Sequence, residues 1–394
     1  MTPRSERWRE AAISIAAMRD LARRTLPRPV FDFADGGAED ERTLRRNEAA
    51  FDSIELLPRP LDGAATRDLS VELFGRRLSL PVLIGPTGLA GLFWPGGEAA
   101  AARAAAAAGT AYCLSHGSVC RLEDLPAGGP RWMQLFIYRE RGFTEALAQR
   151  AAEAGYDALV LTTDNQLLGN RERDRRNGFR IPPRFRAVDL ALMATKLAWL
   201  ARMRPELPRI TFGNYVRPGE SADLAALAGR MASLLDPGMS WADVAWLRRL
   251  WHGPLLLKGV LHPEEAHIAV DHGIDGLIVS NHGGRQLDGA AAAIDALPAV
   301  LAAVEGRVPV LVDGGLRRGV DVVKALALGA RACLIGRPQL WGLSVAGEPG
   351  VRHVLELYRS EIDRAMGLMG AASLTRLGPD LLRRREVLTP LTQS

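Results

Sequence analysis

Eight short apolar runs, each with the length and composition of a buried strand, recur along this 394-residue chain with helical segments between them. The intervening segments are rich in alanine and stop at glycines, as in Glu98 to Ala108 before Gly109 and Asp321 to Leu328 before Gly329. Strands joined by helical crossovers are parallel, so this alternation predicts an α/β fold, a (β/α)8 TIM barrel. The runs cover residues 80–88, 111–118, 131–138, 157–164, 254–260, 276–281, 308–315 and 332–338.

One connection is much longer than the others. The fourth run ends near Asp164 and the fifth begins near Pro254, which leaves roughly ninety residues where about twenty would suffice. We therefore predict one domain over residues 1–394 with an insert after strand 4. Its parts are an N-terminal cap over 1–79 with an amphipathic helix and a short hairpin, a barrel over 80–345 carrying an insert over 165–253, and C-terminal helices over 346–394.

The insert contains the helix-like stretch VDLALMATKLAWLARMRP, whose apolar face is flanked by Lys196, Arg202 and Arg204. Two interpretations stay open. The face around residues 183–215 could lie on an anionic membrane surface, or it could be a lid or an oligomer contact. A second helix is expected over SWADVAWLRRLW.

The composition is that of a globular protein, with 47% hydrophobic and 24% charged residues. The net charge is +5, but the arginines are spread along the chain without a basic and aromatic nucleic-acid motif, so no nucleic-acid partner is expected. Cys113, Cys120 and Cys333 are scattered, which fits a reducing compartment and no metal site. With no signal-like start or bilayer-length apolar stretch, we expect a cytoplasmic protein, with peripheral contact on the inner face of the cell membrane left open.

The sixth run, GLIVS, leads directly into the sequence NHGGRQLDG. His282 and Arg285 therefore fall where a barrel strand gives way to its loop, which is the edge that carries the chemistry in such barrels. The pair predicts an active site. The alternative is that His282 only caps the loop and that Arg285 pairs with Asp288.

Polar or special residues follow other strands at similar depth. Pro86-Thr87-Gly88 follows the first run, and its glycine would let the backbone approach a flat ligand, although a tight turn alone would also explain it. Gln134 and Thr162 are suited to the polar edge of a heterocycle, or they satisfy neighbouring backbone groups. Lys258, in the apolar run PLLLKGV, needs a counter-charge. An anionic reduced flavin or a Schiff base to a carbonyl substrate would each explain it.

A phosphate site is predicted where the last two strands end. Asp313-Gly314-Gly315 is followed by Arg317, and the eighth run ends in Gly336-Arg337. Backbone amides and arginines should converge after these strands, where this fold usually binds phosphate.

The chain resembles the FMN-dependent α-hydroxy acid oxidase and dehydrogenase family over nearly its whole length, most nearly the mandelate and lactate dehydrogenases. The resemblance rests on five segments: PTGLAGLFWPGGE (86–98), LTTDNQLLGNRERDRRNGF (161–179), LKGV (257–260), SNHGGRQLDG (280–289) and DGGLRRGVDVVKALALGARACLIGRP (313–338). It implies an FMN-dependent oxidation of a 2-hydroxy acid to a 2-oxo acid.

By this resemblance His282 is the base, Asp164 orients and stabilises its protonated form, and Arg285 and Arg171 face the substrate, with Arg285 on its carboxylate. Two electrons would pass to the flavin while Lys258 stabilises the charge that the ring gains. The residues implied to hold the isoalloxazine and ribityl region are Pro86, Thr87, Gly88, Ser115, Gln134, Thr162, Lys258 and Ser280, and those implied to hold ribityl and phosphate are Asp313, Gly315, Arg317, Gly336 and Arg337.

The resemblance also bears on the partners. The reduced flavin must be reoxidised by oxygen, a quinone or another carrier. Two features favour a quinone. Position 88 is glycine, where alanine would favour reaction with oxygen, and the insert is similar to the segment by which some relatives attach to membranes. Relatives are commonly homotetramers, so the resemblance implies a homotetramer here.

Three positions depart from the family pattern. Phe33 and Phe136 stand where substrate-binding tyrosines are usual, and Gly117 stands where several relatives carry a bulky aromatic residue. Each lost hydroxyl removes a bond of roughly 1.5–3 kcal/mol, and Gly117 should leave extra room with His116 as a new polar contact. We expect a larger or aromatic, mandelate-like substrate or a natural-product intermediate. The alternatives are a flavin-binding protein without turnover and another FMN barrel such as a type 2 isopentenyl diphosphate isomerase, whose motifs are absent.

Overall fold

A computed structural model describes residues 7–178, 193–216, 227, 229–230 and 233–385 of the chain. Eight parallel strands close into a barrel, which confirms the predicted fold. The barrel strands are β4 (Val82–Ile84), β5 (Tyr112–Leu114), β6 (Arg131–Leu135), β7 (Ala158–Thr162), β8 (Leu255–Val260), β9 (Gly276–Val279), β10 (Val310–Asp313) and β11 (Ala332–Ile335). Around the barrel they follow the order β10-β11-β4-β5-β6-β7-β8-β9.

Helices cover the outside of the barrel and its ends. The two predicted stops are confirmed, since the helices Gly97–Ala107 and Gly319–Ala327 end two residues before Gly109 and Gly329. The helices in chain order are α1 (Arg7–Ala11), α2 (Ile15–Thr25), α3 (Arg28–Asp35), α4 (Arg42–Ala49), α5 (Gly97–Ala107), α6 (Arg141–Glu153), α7 (Glu172–Arg176), α8 (Leu197–Met203), α9 (Trp241–Leu250), α10 (Pro263–Asp271), α11 (Ala293–Val304), α12 (Gly319–Ala327), α13 (Arg337–Ala346) and α14 (Glu348–Met369).

The interior of the barrel explains why the site lies at one end. Side chains alternate between the two faces of a strand, so every second residue points inward. Trp132, Val160, Leu256, Ile278 and Leu311 belong to one buried apolar cluster inside the barrel. Two positions further along each of these strands come the polar residues Gln134, Thr162, Lys258, Ser280 and Asp313. The sequence therefore places a ring of polar groups directly above an apolar plug.

The other end of the barrel is closed by the predicted hairpin. Strands β2 (Val71–Leu73) and β3 (Arg76–Leu78) pair antiparallel, and Val71, Leu73 and Leu78 join the apolar cluster inside the barrel. Phe74, at the turn, packs edge-on against Trp132 with 5.8 Å between ring centroids. Solvent therefore reaches the barrel interior from the carboxyl ends of the strands.

The C-terminal region differs from the prediction of helices alone. α14 packs along α13 and α12, but the chain then forms the strand β12 (Leu382–Arg384), which pairs antiparallel with β1 (Ile54–Leu56). The strand edge at Ile54, a buried residue, needs hydrogen-bond partners, and the distant C-terminal segment supplies them. Residues 386–394 lie outside the described part of the chain.

The described part of the insert packs on the barrel. In α8, Trp199 and Met203 are buried, and the Arg202 guanidinium lies 3.9 Å from the ring centroid of Trp94. Lys196 Nζ donates to the carbonyl of Arg24 at 2.7 Å. Two apolar side chains of this helix are thus covered by the protein itself, whereas Leu197 is exposed. The membrane contact and the lid or oligomer contact both stay predictions, and residues 183–192 of the predicted contact lie outside the described residues. In the ranges given above, no helix combines the length and apolar character needed to cross a membrane.

Candidate active site

A cavity of about 260 Å³ opens at the carboxyl end of the barrel. It brings together all but two of the predicted site residues, the exceptions being Asp164 and Ser280, which lie behind its wall. The predicted residues on the wall are Phe33, Pro86, Thr87, Gly88, Ser115, Gly117, Gln134, Phe136, Thr162, Arg171, Lys258, His282, Arg285, Asp313, Gly315, Arg317, Gly336 and Arg337.

His282 is held by a buried carboxylate. Its Nδ1 lies 2.8 Å from Oδ1 of Asp164, and its backbone N–H donates to Ser280 Oγ at 3.0 Å. The loop reaches this position through three consecutive left-handed residues, with φ of 58° at His282, 62° at Gly283 and 71° at Gly284. A left-handed backbone is unfavourable for a residue other than glycine, so His282 is held in a strained conformation that turns its ring into the cavity.

Asp164 can contact His282 because Gly259, in strand β8, has no side chain to fill the space that the carboxylate occupies. The register between β8 and β9 shifts after Lys258, and Gly259 has a φ of 105°. A Cβ at Gly259 would lie 2.8 Å from the carboxyl carbon of Asp164, closer than atoms can pack. Burial works to raise the pKa of Asp164, but the charge and hydrogen bond of His282 outweigh it, so the pKa lies below its usual value. The carboxylate is therefore charged and available to an imidazolium.

Arg285 does not pair with Asp288, so that alternative is wrong. Asp288 accepts from the backbone N–H of Thr43 at 2.7 Å, at the start of α4. Arg285 Nη1 donates to the carbonyls of Phe33 (2.9 Å) and Gly36 (2.8 Å), and its guanidinium lies 5.4 Å from the Phe33 ring centroid. These contacts direct the cation towards the cavity.

Three arginines gather here with little compensating charge. Among the described residues no carboxylate lies within ion-pair distance of Arg285 or Arg337, and Arg171 has only Asp174, at 3.9 Å. Burial, then Arg171 and Arg337, hold the pKa of Arg285 well below its usual value. Burial and the charge of Arg317 lower the pKa of Arg337 to about 10. Such a cluster favours the binding of anions.

The counter-charge of Lys258 is Asp313. Their Nζ and Oδ2 atoms are 2.9 Å apart, and Nζ also donates to Ser280 Oγ at 2.8 Å. Burial works to lower the pKa of Lys258, but Asp313 and Asp164 outweigh it and the pKa is raised. A Schiff base requires a neutral amine, so this environment favours a permanent cation at the cavity instead.

A family model described as FMN-dependent dehydrogenase matches residues 22–384 of the chain. The chain belongs to this family. It is 41% identical to human 2-hydroxyacid oxidase 1, over 92% of this chain and 94% of that protein. It is 43% identical to an L-lactate oxidase of a Nostoc species, over 94% of this chain and 98% of that protein. A crystal structure of the monotopic membrane protein (S)-mandelate dehydrogenase superposes with a TM-score of 0.89 at 39% identity, covering 95% of this chain and 99% of that one.

The chain is accordingly an FMN-dependent oxidoreductase, and the cavity fits its cofactor. Three buried polar atoms on the wall have no hydrogen-bond partner among the described residues: Gln134 Nε2, Thr162 Oγ1 and Asp313 Oδ1. Leaving buried polar atoms unpaired is costly, so this donor and acceptor set calls for a polar heterocycle. Gly88 faces the carbonyl of Gly117, and a Cβ on residue 88 would lie only 3.3 Å from that oxygen, so a glycine keeps this part of the wall from crowding.

The residues predicted to bind phosphate lie where the last two strands end. Arg317 Nη2 pairs with Glu48 at 2.8 Å, and Arg337 donates to the carbonyls of Asp35 (3.2 Å) and Gly36 (2.8 Å). Gly336 caps the ten-residue helix α13, and Gly336 and Arg337 both line the cavity, so the start of this helix borders it. The residues present therefore fit a phosphate.

Ser280 lies beneath the cavity wall. The resemblance implies that it lines the flavin, and this stays a prediction. Its side chain is fully buried, and its hydroxyl bonds to Lys258 Nζ and to the backbone N–H of His282 because the closed barrel puts the ends of β8 and β9 side by side. Ser280 therefore positions the Lys258 cation and the loop that carries His282.

The room expected at Gly117 is bounded by a residue from the insert. A Cβ at Gly117 would lie 3.8 Å from the ring of Phe212, which is buried and lines the cavity. Sequence reasoning missed Phe212 because nothing local links it to a strand end. It also missed Asn165, Leu168 and Gln286, although their place beside Asp164 and Arg285 was a usable signal.

Proposed function

We propose that this chain oxidises a 2-hydroxy acid with a large, aromatic side chain to the 2-oxo acid, with His282 as the base. The observation that carries the proposal is the His282 and Asp164 pair, 2.8 Å apart, at a cavity lined by aromatic rings and by arginines with little compensating charge. Oxidation of this kind removes two electrons and two protons from the substrate. Bound FMN would accept the two electrons and one proton, and His282 would accept the other proton.

The charged side chains around the cavity have three different roles in this reaction. Arg285 and Arg171 bind the substrate carboxylate, since both are cations on the cavity wall and Arg285 has no carboxylate of the described residues beside it. His282 takes a proton from the substrate, and Asp164 stabilises the imidazolium that results. Lys258, paired with Asp313, keeps a positive charge beneath the cavity where negative charge develops.

The aromatic wall sets the size of the substrate. Phe33 and Phe136 supply no hydroxyl to a small acid, and Phe33 stacks against Phe93 at 6.4 Å between centroids. Phe212 and Leu168 add further apolar surface to the cavity wall. A phenyl group would bury apolar area here that a methyl group cannot.

The test is anaerobic reduction of the purified flavoprotein by L-lactate and by (S)-mandelate, followed through the flavin absorbance. Faster bleaching by mandelate supports the proposal, and equal rates would contradict the size preference. His282→Asn is the matched variant, because asparagine tolerates the left-handed backbone at this position. It should bind FMN and fail to bleach. A yellow wild-type protein that no hydroxy acid bleaches would instead support a flavin-binding role without turnover.

For reoxidation we propose a quinone as the electron acceptor. Gly88 on the cavity wall supports this, because alanine at this position in the family would favour reaction with oxygen. Contact with an anionic membrane through residues 183–215 stays a prediction, as does a homotetramer. Comparing reoxidation by oxygen and by a soluble quinone tests the acceptor. Co-sedimentation with anionic vesicles tests the surface contact, and light scattering gives the oligomer size.

A further inference from the structure

One wall of the cavity carries a histidine that the steps of the proposed oxidation do not use. His116 lies between aromatic rings, with centroid distances of 4.3 Å to Phe136 and 5.9 Å to Tyr215. Gly117, the next residue, faces Phe212. His116 and its neighbours Phe136 and Phe212 all line the cavity, on the side that the proposed substrate ring would occupy.

The hydrogen bonds of His116 fix its tautomer. Gln134 Oε1 accepts from the backbone N–H of His116 at 3.2 Å, so this atom is the amide oxygen and cannot donate. The same oxygen lies 2.8 Å from His116 Nδ1, which must therefore carry a hydrogen. Burial lowers the pKa of His116 to about 4, so the ring is neutral at physiological pH. Nε2 is left with a lone pair and no hydrogen.

Nε2 has no hydrogen-bond partner among the described residues, yet it is not one of the fully enclosed orphan atoms. His116 itself keeps part of its surface open to the cavity. The aromatic wall thus presents one hydrogen-bond acceptor in an otherwise apolar surface. An acceptor of this kind is satisfied only by a ligand that donates.

We propose that His116 is a specificity-determining residue whose Nε2 accepts a hydrogen bond from a hydroxyl or amino group on the aromatic side chain of the substrate. The inference rests on the proposed function and narrows it to donor-bearing aryl 2-hydroxy acids. The same histidine positions Gln134, because its Nδ1 holds the amide so that Nε2 of Gln134 faces the cofactor side.

Two variants separate these roles. In His116→Asn the side-chain amide occupies the place of Nδ1, so the donor to Gln134 is kept while the Nε2 acceptor is lost. In His116→Phe both are lost. We expect His116→Asn to bind FMN as the wild type does and His116→Phe to bind it more weakly.

The decisive measurement is the ratio of kcat/KM for 4-hydroxymandelate to that for 4-fluoromandelate, with the 3-substituted pair run alongside. The fluorine matches the hydroxyl closely in size and does not donate. Comparing the ratio between proteins removes the intrinsic reactivity of each acid. We expect the wild-type ratio to fall about tenfold in His116→Asn for at least one pair, the effect of one buried hydrogen bond. An unchanged ratio in both pairs would overturn the inference.

Binding gives a readout that needs no turnover. The dissociation constants of 4-hydroxybenzoylformate and 4-fluorobenzoylformate, followed by the change in flavin absorbance, should show the same preference and the same loss in His116→Asn. If the preference appears in binding while no hydroxy acid is oxidised, the proposed function fails and the recognition stands. If the acids are oxidised and neither binding nor kcat/KM prefers the donor, the recognition by His116 is wrong and the proposed function stands.

Discussion

The contact between His282 and Asp164 makes a quantitative prediction for the substitution Asp164→Asn. The amide oxygen can still accept from His282 Nδ1 at the observed 2.8 Å, so the change removes charge and keeps the geometry. An isosteric residue is needed because Gly259 leaves no space beside this side chain. A buried, charge-assisted hydrogen bond is worth roughly 1.5–3 kcal/mol. If the bond is made chiefly to the imidazolium of the transition state, flavin reduction should slow by about 10- to 150-fold.

The assay is anaerobic stopped-flow reduction with (S)-mandelate, read at the flavin absorbance maximum. Asp288→Asn is the matched control, since Asp288 lies in the same loop sequence but binds the backbone at the start of α4 instead of the cavity. It should reduce at nearly the wild-type rate. A reduction rate of Asp164→Asn within about twofold of wild type, with FMN bound, would refute the assigned role of the carboxylate.

Three further predictions follow from buried charge and the aromatic wall. Lys258→Met leaves Asp313 without its cation and should lower the free energy of unfolding by about 3–5 kcal/mol in urea, with much of the loss recovered by adding Asp313→Asn. Phe136→Tyr restores a hydroxyl to the cavity and should lower the KM for L-lactate about tenfold in steady-state assays; no change would show that the hydroxyl misses the substrate. Burial lowers the pKa of His116 from an ordinary 6.5 to about 4, so between these pH values the unfolded chain binds a proton that the folded chain does not. The free energy of unfolding should therefore fall as the pH is lowered from 6.5 towards 4. Urea titrations at pH 7 and pH 4 should show about 3 kcal/mol more loss for wild type than for His116→Asn.

The polar ring inside the barrel was predictable because strand periodicity is a local property. Once Trp132, Val160 and Leu256 are recognised as inward-facing, the residues two positions further must face the cavity end of the barrel. The same periodicity identifies Gln134, Thr162 and Lys258 from the amino-acid order alone. The roles of His282 and Asp164 came from the resemblance, because nothing local relates residues 118 positions apart.

The sequence by itself determined the eight strands, the apolar cluster inside the barrel and the set of polar groups above it, since the alternation of inward- and outward-facing residues can be read from the residue order of each strand. Only the tertiary structure decided which of these groups meet. Closure of the barrel puts Asp313 against Lys258 and turns Ser280 beneath the wall, and the packing of the insert brings Phe212 to Gly117. The physical reason is that charge pairing and ring packing depend on distances of a few ångströms between segments far apart in the chain, and those distances exist only once the barrel has closed.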